Sequence, residues 1–360
     1  MAKDLGSSSC LVINYTSKEI GPNWYSLTPE PMKTNRRSFI KQSILTTAGL
    51  SAGVSSPGFP LIRQNHIHLE EGKRFNEDDG LKISVFSKHL QWLDYAEMAQ
   101  VAAGIGFDGI DITVRPGGHV LPENVVEDLP KVVEAVRKTG LNVYMITTAI
   151  VDADDPVSEN ILKTASALGI RHYRTGWFRY NEQKTVEDNL ADFEVKLEKL
   201  ALLSKKYSIS GEYQNHSGRY FGAPIWDLFT VLNRIKSPWI GSQYDILHAT
   251  VEGANTWPIG LKLLKPFIRS IDIKDFQWSR SEGKWAAEVV PLGEGMVDFK
   301  NYFAQLKQQQ IRVPISMHYE YSLGGAEHGH RELTIDGEQV IDSMKRDLNV
   351  LRGMLITAGI

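Results

Sequence analysis

Gly106-Phe107-Asp108-Gly109-Ile110-Asp111-Ile112-Thr113 reads as a short strand entered from a glycine stop, and the segments downstream give it a parallel partner. A helical stretch runs from about Pro122 to Lys138 and closes on Gly140, a residue suited to the left-handed conformation that ends helices. Leu141 to Ile150 then forms a second strand. It is apolar nearly throughout, as a strand covered on both faces is. Strand, helix and buried strand in that order make a parallel βαβ unit.

The unit recurs in both directions. Upstream, Lys82 to Phe86 is β-rich, and Leu93 to Gly104 places Tyr95, Met98, Ala99, Ala102 and Ala103 at helical spacing. Downstream, a helix opening at Asp155-Pro156 ends at Gly169. Strands are expected over Arg171–Trp177, Ile209–Tyr213, Trp239–Asp245, Ile268–Ile273 and Val313–Tyr319. Helices are expected over Val186–Tyr207, Pro224–Ile235, Thr256–Lys265, Asp298–Gln309 and Asp336–Leu355. Eight strands alternating with helices predict an α/β protein built as one (β/α)8 TIM barrel over residues 81–360. A doubly wound open sheet is the competing arrangement. No Gly-x-Gly-x-x-Gly follows the first strand, so nothing supports dinucleotide binding. Trp278 to Gly295 has no clear periodicity and is expected as a long loop over the barrel mouth.

The 360 residues are 42% hydrophobic and 23% charged, an ordinary globular balance. A net charge of −3 gives no electrostatic footprint for nucleic acid or an anionic membrane. The one cysteine, Cys10, excludes an internal disulfide and a zinc ribbon. Arg36-Arg37-Ser38-Phe39-Ile40-Lys41, followed by the weakly apolar run Ser43 to Val54, has the layout of a twin-arginine export signal. Met32 looks like its natural start, so 1–31 reads as upstream read-through, 32–56 as the signal and 57–80 as a linker. The expected partner of that segment is the twin-arginine export machinery, and the expected destination is the periplasm or another exported location, with no membrane span in the processed chain.

In a barrel the residues at strand C-terminal ends face the active-site mouth. Those ends are loaded with titratable groups: Lys88-His89, Asp111, Arg115 to His119, Arg174 and Trp177, Gln214 to His216, Asp245 to His248, Asp272 to Asp275, and His318 to Tyr321. Such a set points to a functional site, although single members are equally explained as loop ion pairs or caps.

Gly106 to Asp111, Tyr213-Gln214-Asn215-His216, Gln243 to His248, Ile271-Asp272-Ile273-Lys274-Asp275 and Pro291-Leu292-Gly293-Glu294-Gly295 give the chain its resemblance. From about residue 81 onward it resembles the xylose-isomerase-like sugar phosphate isomerase/epimerase superfamily. The resemblance implies a divalent metal (Mn, Mg, Co or Zn) held by Glu, Asp, His and Glu at the ends of strands five to eight. The matching positions here are Gln214, Asp245, Asp272 and His318, so only the Asp is kept. Two carboxylates, an imidazole and an amide oxygen remain as candidate ligands, with Asp245 and His318 foremost. The alternative is a metal-free site in which Asp245 pairs with Lys274 or Arg174 and His318 is packed.

For proton transfer the candidates are His216, His248, Asp111 and Glu320, with Lys274 placed to stabilise an enolate oxygen. His89, Arg115, His119, Arg174, Trp177 and Trp278 are candidates for holding substrate, the tryptophans as stacking platforms for a sugar ring. The resemblance implies a carbohydrate isomerase or epimerase that removes a proton beside a carbonyl, in a kind of barrel that often forms homodimers, although no interface signature is visible in the sequence. Export favours a free or oxidised sugar over a phosphorylated one. A lyase or hydratase on keto-sugars shares the first step, and a non-catalytic sugar-binding barrel is the reading from another class.

Overall fold

The computed structural model describes residues 81–281 and 283–360. The read-through segment, the twin-arginine signal and the linker lie outside the described residues. The barrel strands are β1 (Ile83–Phe86), β2 (Gly109–Val114), β3 (Asn142–Thr148), β4 (His172–Arg174), β5 (Ser210–Gln214), β6 (Ile240–Asp245), β7 (Ile268–Ile273) and, after a hairpin of β8 (Asp275–Ser281) and β9 (Lys284–Val290), β10 (Ile315–Met317). They close in the order β1-β10-β7-β6-β5-β4-β3-β2, all neighbours parallel, which is the (β/α)8 barrel expected from the alternation.

Local chemistry sets the helices between them. Helix Tyr95–Ile105 starts where the Asp94 carboxylate accepts from the Ala96 and Glu97 backbone N–H groups while Glu97 reaches back to Asp94. It stops at Gly106, whose φ of 107° no side chain tolerates cheaply. Helix Val186–Tyr207 is capped by the Thr185 hydroxyl, and helix Pro156–Ala167 by Asp155.

Alternation along the strands separates two environments. Val85, Ile110, Ile112, Ile146, Tyr173, Tyr213, Tyr244, Ile271, Ile273 and Met317 are buried in the hydrophobic core. The hydroxyls of this set bond outward: Tyr173 to Ser204 of helix Val186–Tyr207, and Tyr244 to the carbonyl of Trp257. The intervening residues face the lumen, as contacts between non-adjacent strands require. The Glu212 carboxylate on β5 accepts from Ser270 on β7, and Asp111 on β2 accepts from Ser316 on β10 at 2.8 Å. This lumen is polar where barrel interiors are commonly filled with branched apolar side chains.

Three expectations are corrected. The 278–295 segment is not an irregular loop, because β8 and β9 pair antiparallel from Asp275↔Val290 to Ser281↔Lys284. Its far strand is exposed along most of its length, so it carried no buried face for a period to mark. The helix after β6 begins at Ile246, with a second from Trp257 to Leu264, because the Asp245 side chain accepts from the His248 backbone N–H and caps it. Strands β4 and β10 are also shorter than expected, three residues each. The Pro291 to Gly295 motif has a structural use: Gly293, Gly295 and Val297 donate backbone N–H groups to the buried Asp275 carboxylate at 3.0, 3.0 and 3.1 Å and fasten the hairpin base.

Candidate active site

The ends of β4 to β7 and of β10 deliver one connected cluster. Arg174, at the end of β4, donates from Nη1 to the Gln214 amide oxygen at 3.0 Å. The Gln214 amide nitrogen donates to Asp245 Oδ2 at 2.9 Å and to Asp272 Oδ2 at 2.6 Å. Lys274, the residue after β7, sits 3.2 Å from Asp245 Oδ2, donates to Glu320 Oε2 at 2.9 Å and lies 3.0 Å from His248 Nε2. Glu320 also accepts from Lys88 at 2.6 Å. Lys274 is buried, and Glu320 keeps a partly exposed carboxylate at the rim.

The charges in this cluster set one another. Burial works against the Lys274 ammonium, but Asp245 and Glu320 outweigh it and raise its pKa. Burial likewise opposes the Glu320 charge, yet Lys274 and Lys88 hold that carboxyl well below the usual range. Burial pushes Asp245 up, with Lys274 pulling the other way. Asp272 lies well above the usual range because burial and the neighbouring Asp245 charge act together. Burial and Lys274 keep His248 and His318 neutral, with pKa values well below the ordinary imidazole value.

His248 therefore accepts from Lys274 through Nε2, and its Nδ1–H donates to the Ser217 hydroxyl at 2.9 Å. His216 stands over it with ring centroids 4.0 Å apart, flanked by Trp177 at 4.8 Å and Tyr220 at 5.3 Å. Its Nδ1–H is used on the Ser217 carbonyl at 2.9 Å, which leaves Nε2 as the lone-pair nitrogen. Burial and Lys274 lower the His216 pKa, so the ring is neutral at neutral pH and its Nε2 lone pair is unprotonated.

Phe86, at the end of β1, forms the opposite wall. The His318 ring stacks on it at 4.4 Å and 22°, and the Arg115, Arg174 and Lys88 cations lie 5.4, 5.6 and 5.6 Å from its centroid. Burial and the Arg174 charge lower Arg115 to about 10. The Arg174 guanidinium also lies 4.8 Å from the Trp177 ring. Several buried polar atoms here have no hydrogen-bond partner among the described residues: Arg174 Nε, Trp177 Nε1, Asp272 Oδ1 and both His318 nitrogens. Asp272 Oδ1 and His318 Nε2 are 3.5 Å apart. Below them Asp111 accepts from Thr147 at 3.0 Å and from Ser316, and burial raises its pKa to about 6 against Arg174 and those donors.

The structure brings together Arg174, Trp177, Gln214, His216, Asp245, His248, Asp272, Lys274, His318 and Glu320, with Arg115 and Asp111 at the margins. His89 and His119 are corrections. His89 is fully buried, donates from Nδ1 to the Ala326 carbonyl at 3.2 Å and accepts the Tyr319 N–H at 3.0 Å. His119 turns inward to Ser87 and to the Leu90 carbonyl, each at 3.2 Å, and burial lowers its pKa to about 4. Both rings are occupied in fixing loops. Trp278 lies on the hairpin, 43% exposed, against Phe276. Phe86 and Ser217 were missed: an apolar strand end looks like core, and a serine in a loop carries no signal.

As a metal site the expected four do not fit. Arg174 only donates, so the Gln214 amide oxygen is committed to it and the amide nitrogen faces Asp245 and Asp272. Gln214 as a ligand is thus a correction. Asp245 is already engaged by Lys274. Among the described residues no group of three or more His, Cys, Asp or Glu side chains is arranged to hold a metal ion.

The family description "Xylose isomerase-like TIM barrel" matches residues 99–342. No curated protein matches the sequence. Among solved structures the chain is similar to D-allulose 3-epimerase from Methylomonas sp., at 18% identity and a TM-score of 0.58 over 77% of this chain and 99% of that one. It is similar to an L-ribulose 3-epimerase at 15% identity and a TM-score of 0.59, covering 77% and 95%. It is also similar to 3-keto-D-glucoside 4-epimerase from E. coli at 15% identity and a TM-score of 0.56, covering 76% and 99%. At these identities the likeness establishes the shared fold.

Proposed function

The chain belongs to the xylose isomerase-like TIM-barrel family, and from that premise we propose that it is a carbohydrate isomerase or epimerase that removes a proton beside a carbonyl. The observation that carries this reading is the wall formed by His216 and Lys274. A neutral imidazole with a free Nε2 stands over His248, whose own Nε2 lies 3.0 Å from the ammonium. A base beside a fixed cation is what enolisation needs, since the proton leaves carbon while negative charge grows on the neighbouring oxygen.

In this reading Trp177 offers a ring face to the sugar, and Arg174 and Arg115 bind its oxygens. His216 Nε2 takes the proton. Lys274 and the partly exposed Glu320 line the side where the oxygen resides. Return of the proton to the adjacent carbon gives an isomer, and return to the opposite face gives an epimer. The names of the structural neighbours, epimerases of D-allulose, L-ribulose and a 3-keto-D-glucoside, support a keto-sugar as substrate. The Arg36-Arg37 motif supports an exported enzyme, for which a sugar without phosphate is the available substrate.

Proton NMR in deuterated water tests the reading, because it detects enolisation whether the outcome is isomerisation, epimerisation or elimination. With ketohexoses, L-ribulose and a 3-keto-glucoside, at least one compound is expected to take up deuterium beside its carbonyl. His216→Ala is expected to slow that uptake about a hundredfold or more. Absence of uptake across the panel, with the folded protein present, overturns the reading.

A further inference from the structure

The cluster holds its own cation. We propose that the Lys274 ammonium, gripped by Asp245, Glu320 and His248, occupies the functional place of the divalent metal that the family resemblance implies, so that this site works without one. The inference rests on the enolisation reading for what the cation does, but not for where it sits.

Three observations carry it. An ammonium has three N–H donors, and the three acceptors within reach of Lys274 are Asp245 Oδ2 at 3.2 Å, Glu320 Oε2 at 2.9 Å and His248 Nε2 at 3.0 Å. Two carboxylates and an imidazole are the donor types that hold a divalent ion elsewhere, and here they are engaged by nitrogen. Second, Gln214 presents N–H, not oxygen, to Asp245 and Asp272. Turning the amide to free its oxygen loses the Arg174 bond and leaves two donors facing one another. Third, cations already occupy the carboxylates of the mouth: Lys88 and Lys274 pair with Glu320, and Lys274 pairs with Asp245. A dication added beside Asp245 meets an ammonium already in contact with the same oxygen, an unscreened repulsion in a buried site.

The arrangement also indicates how substrate reaches the cation. In the free protein Lys274 hydrogen-bonds Glu320 and His248 and pairs with Asp245 at 3.2 Å, and His248 is the neutral acceptor of the three. A substrate oxygen displaces His248 and takes its N–H, which places the growing negative charge directly on Lys274. No electron transfer and no bond to the ammonium is required.

The test begins with full-length protein dialysed against EDTA, incubated separately with Mn, Co, Zn and Mg, desalted, and examined by elemental mass spectrometry and thermal melting. Wild type is expected to retain well under about 0.2 equivalents of any ion and to melt at the same temperature with and without it. Lys274→Arg keeps the charge and is expected to behave likewise, whereas Lys274→Met, if folded, is expected to bind Co or Zn through the three freed acceptors. Near-stoichiometric metal in wild type, raising the melting temperature and lost in Asp245→Asn/His318→Gln, overturns the proposal, as does a Lys274→Met protein that folds but binds none. These readouts need no turnover. A metal-free protein inactive on every sugar breaks the enolisation reading alone, and a metal-loaded protein that exchanges deuterium breaks this inference alone.

Discussion

The barrel lumen holds two polar layers that differ in how completely their charges are paired. In the lower layer the buried Glu212 uses both oxygens, Oε1 with His172 Nδ1 at 2.5 Å and Oε2 with the Ser270 hydroxyl. In the upper layer, among the described residues, the buried Asp272 uses only one oxygen for hydrogen bonding, and His318 uses neither nitrogen. The strands, burial and residue types are comparable, so the fold alone does not explain the difference. A carboxylate satisfied at both oxygens braces the barrel. An unpaired carboxylate oxygen and imidazole, walled by Phe86 and Lys274, are held ready for a ligand that supplies the missing partners.

The largest expected effect comes from removing the upper layer's cation. Lys274→Met leaves Asp245 and Glu320 without their ammonium, and about 3–5 kcal/mol of stability is expected to be lost, read by denaturant unfolding. Deuterium exchange by the remaining folded protein is expected to fall about a thousandfold. The lower layer gives the contrasting result. Glu212→Gln breaks the buried pair with His172 and is expected to cost about 2–4 kcal/mol while exchange per folded molecule stays within about twofold. If Glu212→Gln abolishes exchange at unchanged stability, the division into brace and site is wrong.

Asp111 lies between the layers and gives a pH signature. Burial raises its pKa from 3.8 to about 6 in the fold, so the folded chain binds the proton more tightly than the unfolded chain. Its contribution is complete below 3.8 and is lost as pH rises through about 6. Asp111→Asn is therefore expected to gain up to about 3 kcal/mol relative to wild type at pH 7.5 and little at pH 4, measured by unfolding at both values. A gain at pH 4 alone reverses the assigned sign. The aromatic walls give the smallest effects. Trp177→Ala is expected to raise KM about tenfold with kcat little changed. Trp278→Ala, on the exposed hairpin, is expected to change either by less than about twofold.

Much of this was legible in the sequence, for reasons that can be named. The barrel followed from strand and helix periods, because every barrel strand buries an apolar outer face such as Ile271 and Ile273. The hairpin was not legible, because strand Lys284–Val290 has no buried face to imprint a period. Asp245, Lys274, His248 and Glu320 lie together as the sequence led one to expect, because strand ends in a barrel converge whatever the loops do. His89 and His119 were over-read, because what consumes their nitrogens includes the carbonyls of Ala326 and Leu90, and backbone partners leave no mark on sequence. The same blindness hid the Gln214 amide orientation, which depends on Arg174 from the neighbouring strand.

If a carbon–hydrogen bond is broken in the upper layer and not in the lower one, deuterium uptake separates the two. The measurement is the exchange rate of the responsive keto-sugar with Lys274→Met and Glu212→Gln side by side, each normalised to its folded fraction. The expected result is a rate near wild type for Glu212→Gln and a rate about a thousandfold lower for Lys274→Met. Equal rates for the two variants, or a loss confined to Glu212→Gln, would refute the division.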